Sequence, residues 1–182
     1  KLVTEALKYA ELKDVLVVHP SGNDSMNIDE DFYYPNDFDY YTQQDLVSNF
    51  INVGSISERK GEKVVSDFSN YGKKQVDIFA PGEDVLVAQP NNQYGKDSGT
   101  SIAGPMVSGT AALIRLYYPN LTAQEIKTCI LESGIPVLHK VIKPGTRDEM
   151  VSFSELCKSG KILNTYNAME MAKQMSKKKK CP

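Results

Sequence analysis

Ser98-Gly99-Thr100-Ser101-Ile102-Ala103-Gly104-Pro105-Met106-Val107-Ser108-Gly109 runs directly into Thr110-Ala111-Ala112-Leu113-Ile114, placing a serine after two small residues at the mouth of an apolar helix. Gly99 lets the backbone turn without a Cβ clash. Ser101 then falls in the first helical turn, where unpaired N–H groups and the helix dipole favour negative charge. An oxyanion forming beside Ser101 is stabilised there. Ala103 and Gly104 leave room for a substrate backbone or a neighbouring strand, and Pro105 is tolerated where few helical hydrogen bonds are lost. The same residues also read as an ordinary capped helix, since serine is a good N-cap.

Upstream, Asp14-Val15-Leu16-Val17-Val18-His19-Pro20-Ser21-Gly22-Asn23-Asp24 is a continuous apolar run that ends in a small-residue turn and an asparagine. It predicts a buried parallel strand whose C-terminal end carries chemistry. By itself Asn23 reads equally as a turn residue tolerant of left-handed geometry. Phe50 to Ser55 and Val76 to Gly82 read as short strands closed by Gly or Pro-Gly, Phe68 to Gly72 as a turn, and Val85 to Ala88 as a further strand.

The string from Gly99 to Gly109 resembles the serine motif of the subtilisin-like serine proteases, the subtilase family, and the Gly22-Asn23, Phe50–Ser55, Ser66–Gly72 and Val76–Gly82 segments are similar to family segments in the same order. The resemblance covers roughly residues 15 to 172. It implies that Ser101 is the nucleophile of a serine endopeptidase, and that Asn23 joins the Ser101 backbone N–H in an oxyanion hole. It also implies that Pro20, Ser21, Gly22, Tyr33 and Thr100 contact substrate. Tyr33 precedes Tyr34-Pro35, where relatives often place a small residue at the pocket floor, so a tyrosine there fills the pocket. No cofactor is implied for the chemistry; structural calcium is implied as an option, and by family analogy a secreted or cell-envelope location.

The chain departs from the family pattern. Ile102 and Met106 stand where Met and His are usual, and the family's aspartate and histidine segments are absent. His19 and His139 are the only histidines and neither has the Gly-His-Gly-Thr context. In this chemistry histidine takes the serine proton and aspartate fixes its tautomer. The resemblance therefore implies that residues 1–176 are the C-terminal portion of a catalytic domain whose N-terminal half is a required partner, with residues 177–182 a Lys-rich tail. A catalytically degenerate subtilase domain acting as a binding module is the alternative. An esterase is disfavoured because Ile102-Ala103 follows Ser101 and no Gly-x-Ser-x-Gly elbow forms.

Length and composition predict one globular unit, and the alternation of strands and helices, with the resemblance, implies an α/β fold, a three-layer, mostly parallel sheet flanked by helices, with helices over residues 2–12, 101–118 and 122–133 and a last helix through about Met175. Of 182 residues, 41% are hydrophobic and the net charge is −2, which gives no case for nucleic acid as a partner. No apolar run approaches the ~20 residues of a membrane span. From Asp14 through Glu58 there is no Lys or Arg, and the carboxylates gathered there predict a solvated acidic surface in preference to a calcium loop. Three cysteines cannot all pair within one chain and show no metal-ligand spacing, and Cys129 reads as a small core residue. Ile102 removes an oxidisable thioether beside Ser101, so activity is expected to resist peroxide better than in Met-bearing relatives; rapid loss traced to no other methionine overturns this.

Overall fold

The computed structural model describes residues 2–31 and 33–180. Helix α1 (Leu2–Leu12) leads into β1 (Val17–Pro20), and a long loop carries the two-residue strands β2 (Phe38–Asp39) and β3 (Gln44–Asp45) before β4 (Phe50–Ile56) and β5 (Ile78–Pro81). The hairpin of β6 (Val85–Gln89) and β7 (Gln93–Asp97) precedes α2 (Thr100–Tyr117) and α3 (Ala123–Ser133). The chain then forms β8 (Ile135–Pro136), β9 (Lys140–Ile142), β10 (Met150–Ser152), β11 (Lys161–Ile162) and α4 (Thr165–Lys180).

Five strands form the central sheet in the order β1-β4-β5-β11-β8. The first four run parallel and only β8 is antiparallel. All seven residues of β4 are buried, as expected of a strand covered on both faces. Alternation sends Ile51 and Val53 to one face with Ile78 and Ala80 of β5, and sends Phe50 and Phe79 to the other. Helix α2 covers the first face with Ala103, Val107 and Ile114, backed by Ile126, Cys129 and Ile130 of α3 and Ala168 and Ala172 of α4. The second face is covered by Leu7 of α1 and, farther along, by Ile28, Val141, Phe153 and Leu156. The three layers are those the sequence predicts, although one outer layer is a single helix, the short β9–β10 pair and loops. Helix α3 starts at a capping box: Thr122 Oγ1 accepts from the Glu125 N–H at 3.2 Å and Glu125 Oε2 accepts from the Thr122 N–H at 2.7 Å.

Several expectations need correction. Strand β1 is half-exposed along its length, because it is an edge strand with β4 as its one neighbour. The strand at Val85 forms, but as one arm of a separate antiparallel hairpin. The lysines after Met175 are not a frayed tail: α4 continues to Lys180. Ser176 is buried and donates to Asn120 Oδ1 at 2.8 Å, and Lys179 Nζ reaches Glu125 Oε2 at 2.7 Å. Cys181 lies outside the described residues. Cys129 and Cys157 are buried, and burial pushes both thiols up to about 11, which keeps them unreactive near neutral pH.

The acidic stretch is only partly a solvated surface. Asp29 is half-buried and accepts the N–H groups of Lys74 and Gln75, Asp45 pairs with Lys158 at 2.7 Å, and Asp39 accepts the Tyr41 N–H. These carboxylates are committed to protein donors and do not fit a calcium site. Among the described residues no group of three His, Cys, Asp or Glu side chains is placed to hold a metal ion. Asp37 is buried, and desolvation first, then the charges of Asp77 and Asp45, push its carboxyl up to about 7 against the pull of Lys127 and Lys158.

Because the folded-state value of Asp37 is raised, its contribution to stability is full below about pH 4 and falls as pH rises toward 7. Asp37→Asn is expected to flatten that fall, gaining melting temperature over the parent chain at pH 8 but not at pH 4. Thermal denaturation of both chains across this range checks it, and parallel curves overturn it.

Candidate active site

The parallel strands deliver three segments to one edge of the sheet. Pro20 ends β1 and is followed by Ser21-Gly22-Asn23, Pro81 ends β5 and is followed by Gly82, and α2 begins there with Thr100 and Ser101. Chemistry at the C-terminal ends of parallel strands is the expected place in such sheets.

Asn23 and α2 are locked together. The Thr100 N–H donates to Asn23 Oδ1 at 2.8 Å and the Thr100 hydroxyl donates to the same oxygen at 3.0 Å. Thr100 Oγ1 in turn accepts the Gly22 N–H at 3.1 Å. With Oδ1 held by two donors, the amide orientation is fixed and Nδ2 faces the start of the helix. A Cβ built on Gly99 would lie 2.9 Å from Ser101 Oγ and 3.5 Å from Asn23 Nδ2. Hydroxyl and carboxamide therefore flank one small space that glycine, at φ +156°, keeps open. Ser101 and Asn23 are both exposed, whereas Thr100 is buried. The Ser101 N–H lies in the first turn and has no intrahelical acceptor, so it and Nδ2 are two donors available to an anion.

Glycine is also required behind the serine. The Gly99 N–H donates to Gly82 O at 2.7 Å, and a Cβ on Gly82 would meet Ser55 Oγ at 2.6 Å, Gly99 O at 2.7 Å and Ala103 Cβ at 2.9 Å. Gly104 is freer than its sequence context suggests: a Cβ there would touch Pro20 only at 3.9 Å. Pro105 sits in the second turn of α2 rather than the first, so it removes one helical bond, the one to the Ser101 carbonyl.

Asn70 carries a role that the sequence reading gave only as part of a turn. Its Oδ1 accepts the N–H groups of Asp24 and Met26, both at 2.9 Å, and its Nδ2 donates to Ser21 O at 2.9 Å. Its backbone N–H donates to Gly22 O at 3.0 Å and its carbonyl accepts the Ser21 hydroxyl at 3.2 Å. One fully buried side chain thus clamps the loop that holds Asn23. Ser21, also fully buried, is part of this clamp and is not open to a ligand. Gly22 has φ +104°, and any Cβ there would strike the Asn70 carboxamide and the Tyr33 hydroxyl, so Tyr33 lies directly over Gly22. Burial and the neighbouring Asp24 charge raise the Tyr33 phenol. Neither histidine stands free for acid–base work at Ser101. His19 stacks on Phe50 with centroids 5.8 Å apart, lies 3.4 Å from Asn52 Oδ1, and is pushed down by burial. His139 is exposed between β8 and β9.

Asn70→Ala deletes the bonds that fix the Asn23 loop, at about 1–1.5 kcal/mol each for satisfied buried groups, and is expected to cost roughly 2–4 kcal/mol. Denaturant unfolding measures this, and a loss under about 1 kcal/mol rules out the clamp.

The profile of the Subtilase family matches residues 2–161. The Major intracellular serine protease of Bacillus subtilis (strain 168) is 41% identical over 115 residues, covering 62% of this chain and 32% of that protein. Subtilisin-like protease 2 of Plasmodium falciparum (isolate 3D7) is 30% identical over 169 residues, covering 90% of this chain and 11% of that protein. Among solved structures, that of the subtilase cytotoxin SubAB assembly superposes with TM-score 0.72 at 27% identity, over 96% of this chain and 54% of that one. The Prenylagaramide maturation protease PagA gives TM-score 0.66 at 30% identity, over 92% and 54%. The chain thus spans about a third or less of these curated relatives and about half of the solved chains. Relatives include both an intracellular protease and an Extracellular serine proteinase of Thermus, so the secreted location implied by resemblance has no support in the family match. No helix among the described residues is long and apolar enough to cross a membrane. By the match over most of its length, the chain belongs to the subtilase family of serine proteases.

Proposed function

We propose that this chain supplies the nucleophile and the oxyanion-binding half of a subtilisin-type serine endopeptidase. The observation that carries the reading is the shared space beside Gly99, flanked by Ser101 Oγ on one side and Asn23 Nδ2 on the other. Ser101 Oγ attacks the scissile carbonyl of a peptide or protein substrate. The carbonyl oxygen, now negative, lies between the Ser101 N–H and Asn23 Nδ2. A base takes the Ser101 proton during attack and returns it to the amine as collapse expels it, leaving an acyl-enzyme on Ser101 that water then hydrolyses. All of these steps use protein groups and water. Removing one oxyanion donor of this kind costs about 2.7–4 kcal/mol, a magnitude measured on the equivalent asparagine of a subtilisin.

The base and its orienting carboxylate come, on this reading, from the N-terminal half of the same domain. What supports this is the engagement of His19 by Phe50 and Asn52, the fraction of each relative that the chain spans, and the outer edge of β1, unpaired among the described residues. A cavity of about 360 Å³, bounded by Val15, Leu16 and Val18 beside β1 and by Ala111 and Ala112 of α2, lies along that edge. Without a base the Ser101 hydroxyl is a weak nucleophile, so the isolated chain is expected to be inactive.

Fluorophosphonate labelling of the complete protease, mapped by peptide analysis, tests the reading: label on Ser101 that disappears in Ser101→Ala supports it, and an unlabelled folded, processed enzyme favours a degenerate binding domain. Tyr33 over Gly22 is the second expectation of this reading, because it fills the pocket that receives the side chain before the scissile bond. Cleavage after Phe is expected to be poor and to rise about tenfold or more in Tyr33→Gly, as a pocket relieved of a bulky side chain allows. Efficient cleavage after Phe by the unaltered enzyme overturns the filled pocket.

A further inference from the structure

A second cavity, of about 270 Å³, is lined by Arg59, Lys63 and Arg147. The one carboxylate in its lining, Asp67, already accepts the Gly145 N–H at 3.0 Å. Arg59 pairs with Glu83 at 2.5 Å, while no ion pair among the described residues engages Lys63 or Arg147. Buried Val65 and half-buried Ile142 add apolar side chains to the lining. The cavity is thus a positively charged recess with an apolar patch, in a chain whose net charge is −2.

Its place in the fold ties it to the serine. Arg59 and Lys63 follow the end of β4, and β4 is parallel to β1 and β5. They therefore leave the sheet at the same edge as Asn23 and Gly82. On one side, Ser25, two residues from Asn23, donates its hydroxyl to Asp67 O at 2.7 Å. A Cβ on Gly145 would come within 2.9 Å of Ser25 Cβ. On the other side, Glu83, the partner of Arg59, directly follows the Gly82 whose carbonyl holds the Gly99 N–H. The walls of the cavity are continuous with both loops that frame Ser101.

We infer that this cavity receives the side-chain carboxylate of a Glu or Asp in the peptide drawn across Ser101, so that acidic residues near the scissile bond are preferred. The inference rests on the protease reading for the path of the peptide. A guanidinium offers a carboxylate two parallel N–H donors and an ammonium adds a point charge, so a recess holding both types recognises this group in preference to a neutral amide. The recess is solvent-accessible, so the preference is screened by salt.

The test uses the complete protease and a fluorogenic peptide series in which Gln is exchanged for Glu at one position after another on both sides of the scissile bond. One position is expected to gain about tenfold in kcat/KM with Glu, the size that an accessible charge-assisted pair supports, and to lose most of the gain in 0.5 M salt. Lys63→Gln/Arg147→Gln, checked for an unchanged melting temperature, should erase the Glu preference and leave cleavage of the Gln peptides as it was. Anisotropy of the same labelled peptides on the Ser101→Ala enzyme reads binding without chemistry, and fluorophosphonate labelling of the unaltered enzyme reads Ser101 alone. A labelled enzyme with no Glu preference at any position overturns the acidic subsite and spares the protease reading. An unlabelled enzyme whose anisotropy still favours Glu, and loses that in the double variant, supports the subsite as a peptide-binding recess and sinks the protease reading. Absence of both signals overturns both.

Discussion

The hydrogen bonds from Thr100 to Asn23 Oδ1 join residues 77 positions apart in sequence, and the rest of the molecule is arranged so that they can form. Each end is set by a different element: Asn23 by the exit of β1, Thr100 by the first turn of α2. Because β1, β4 and β5 are parallel, their exits share an edge, and α2 crosses the face beneath with Ala103 and Val107 fully buried. The close approach is possible only where side chains are missing. Gly82 lets the serine loop rest on the strand exit, and Gly99 leaves vacant the point at which hydroxyl and carboxamide converge.

What holds these loops is polar, buried and neutral. Ser55, Ser66, Ser69 and Asn70 are essentially inaccessible, with Ser55 Oγ and Ser66 Oγ 2.9 Å apart and the Ser55 N–H donating to Ser69 Oγ at 2.9 Å. Buried donors and acceptors left unmade cost about 1–3 kcal/mol each, so such a network specifies one arrangement of its loops. The contrast is with the other end of β5. There Asp77, just before the strand, is buried with Lys127 at 3.6 Å and Lys158 at 3.5 Å, and its charge helps hold Asp37 protonated. The buried ion pairs of Asp77 thus lie at the end of the sheet away from the serine, while the loops around Ser101 rest on buried neutral dipoles.

The sequence made the scaffold legible because its signals are local. The apolar runs at Val17 and Phe50, the Pro-Gly stop after Ala80, the capping box at Thr122 and the small residues before Ser101 each act within a few positions, and each became the expected element. Ser101 and Asn23 stand out in the sequence for the same reason, and the structure brings both to one opening. The roles that escaped are set by partners distant in sequence. Asn70 looks like any turn asparagine until the loop at Ser21–Met26 folds over it. The lysines after Met175 look like a loose tail until Lys179 reaches the Asn120 carbonyl and Glu125. The exposure of β1 could not be read from its apolar composition, because burial depends on which strands flank it.

Orientation before substrate arrives is what separates a donor that stabilises a transition state from one that merely binds. Asn23 cannot rotate its amide without abandoning two hydrogen bonds from Thr100, so its Nδ2 is aimed whether or not an oxyanion is present. A donor already in place needs no reorganisation as charge develops, and its stabilisation falls on the transition state rather than on the substrate. The Ser101 hydroxyl stands differently. Its position is fixed by the helix, but its nucleophilicity depends on a base, and the half-buried imidazole of His19 is engaged by Phe50 and Asn52. On the proposed reading, the electrostatic half of catalysis is local, built from loops within one sheet edge, while the proton-transfer half requires a group delivered from elsewhere. On that reading, the outer edge of β1, unpaired among the described residues and ending at Asn23, is where a further parallel strand would bring that group to the same C-terminal edge as Ser101.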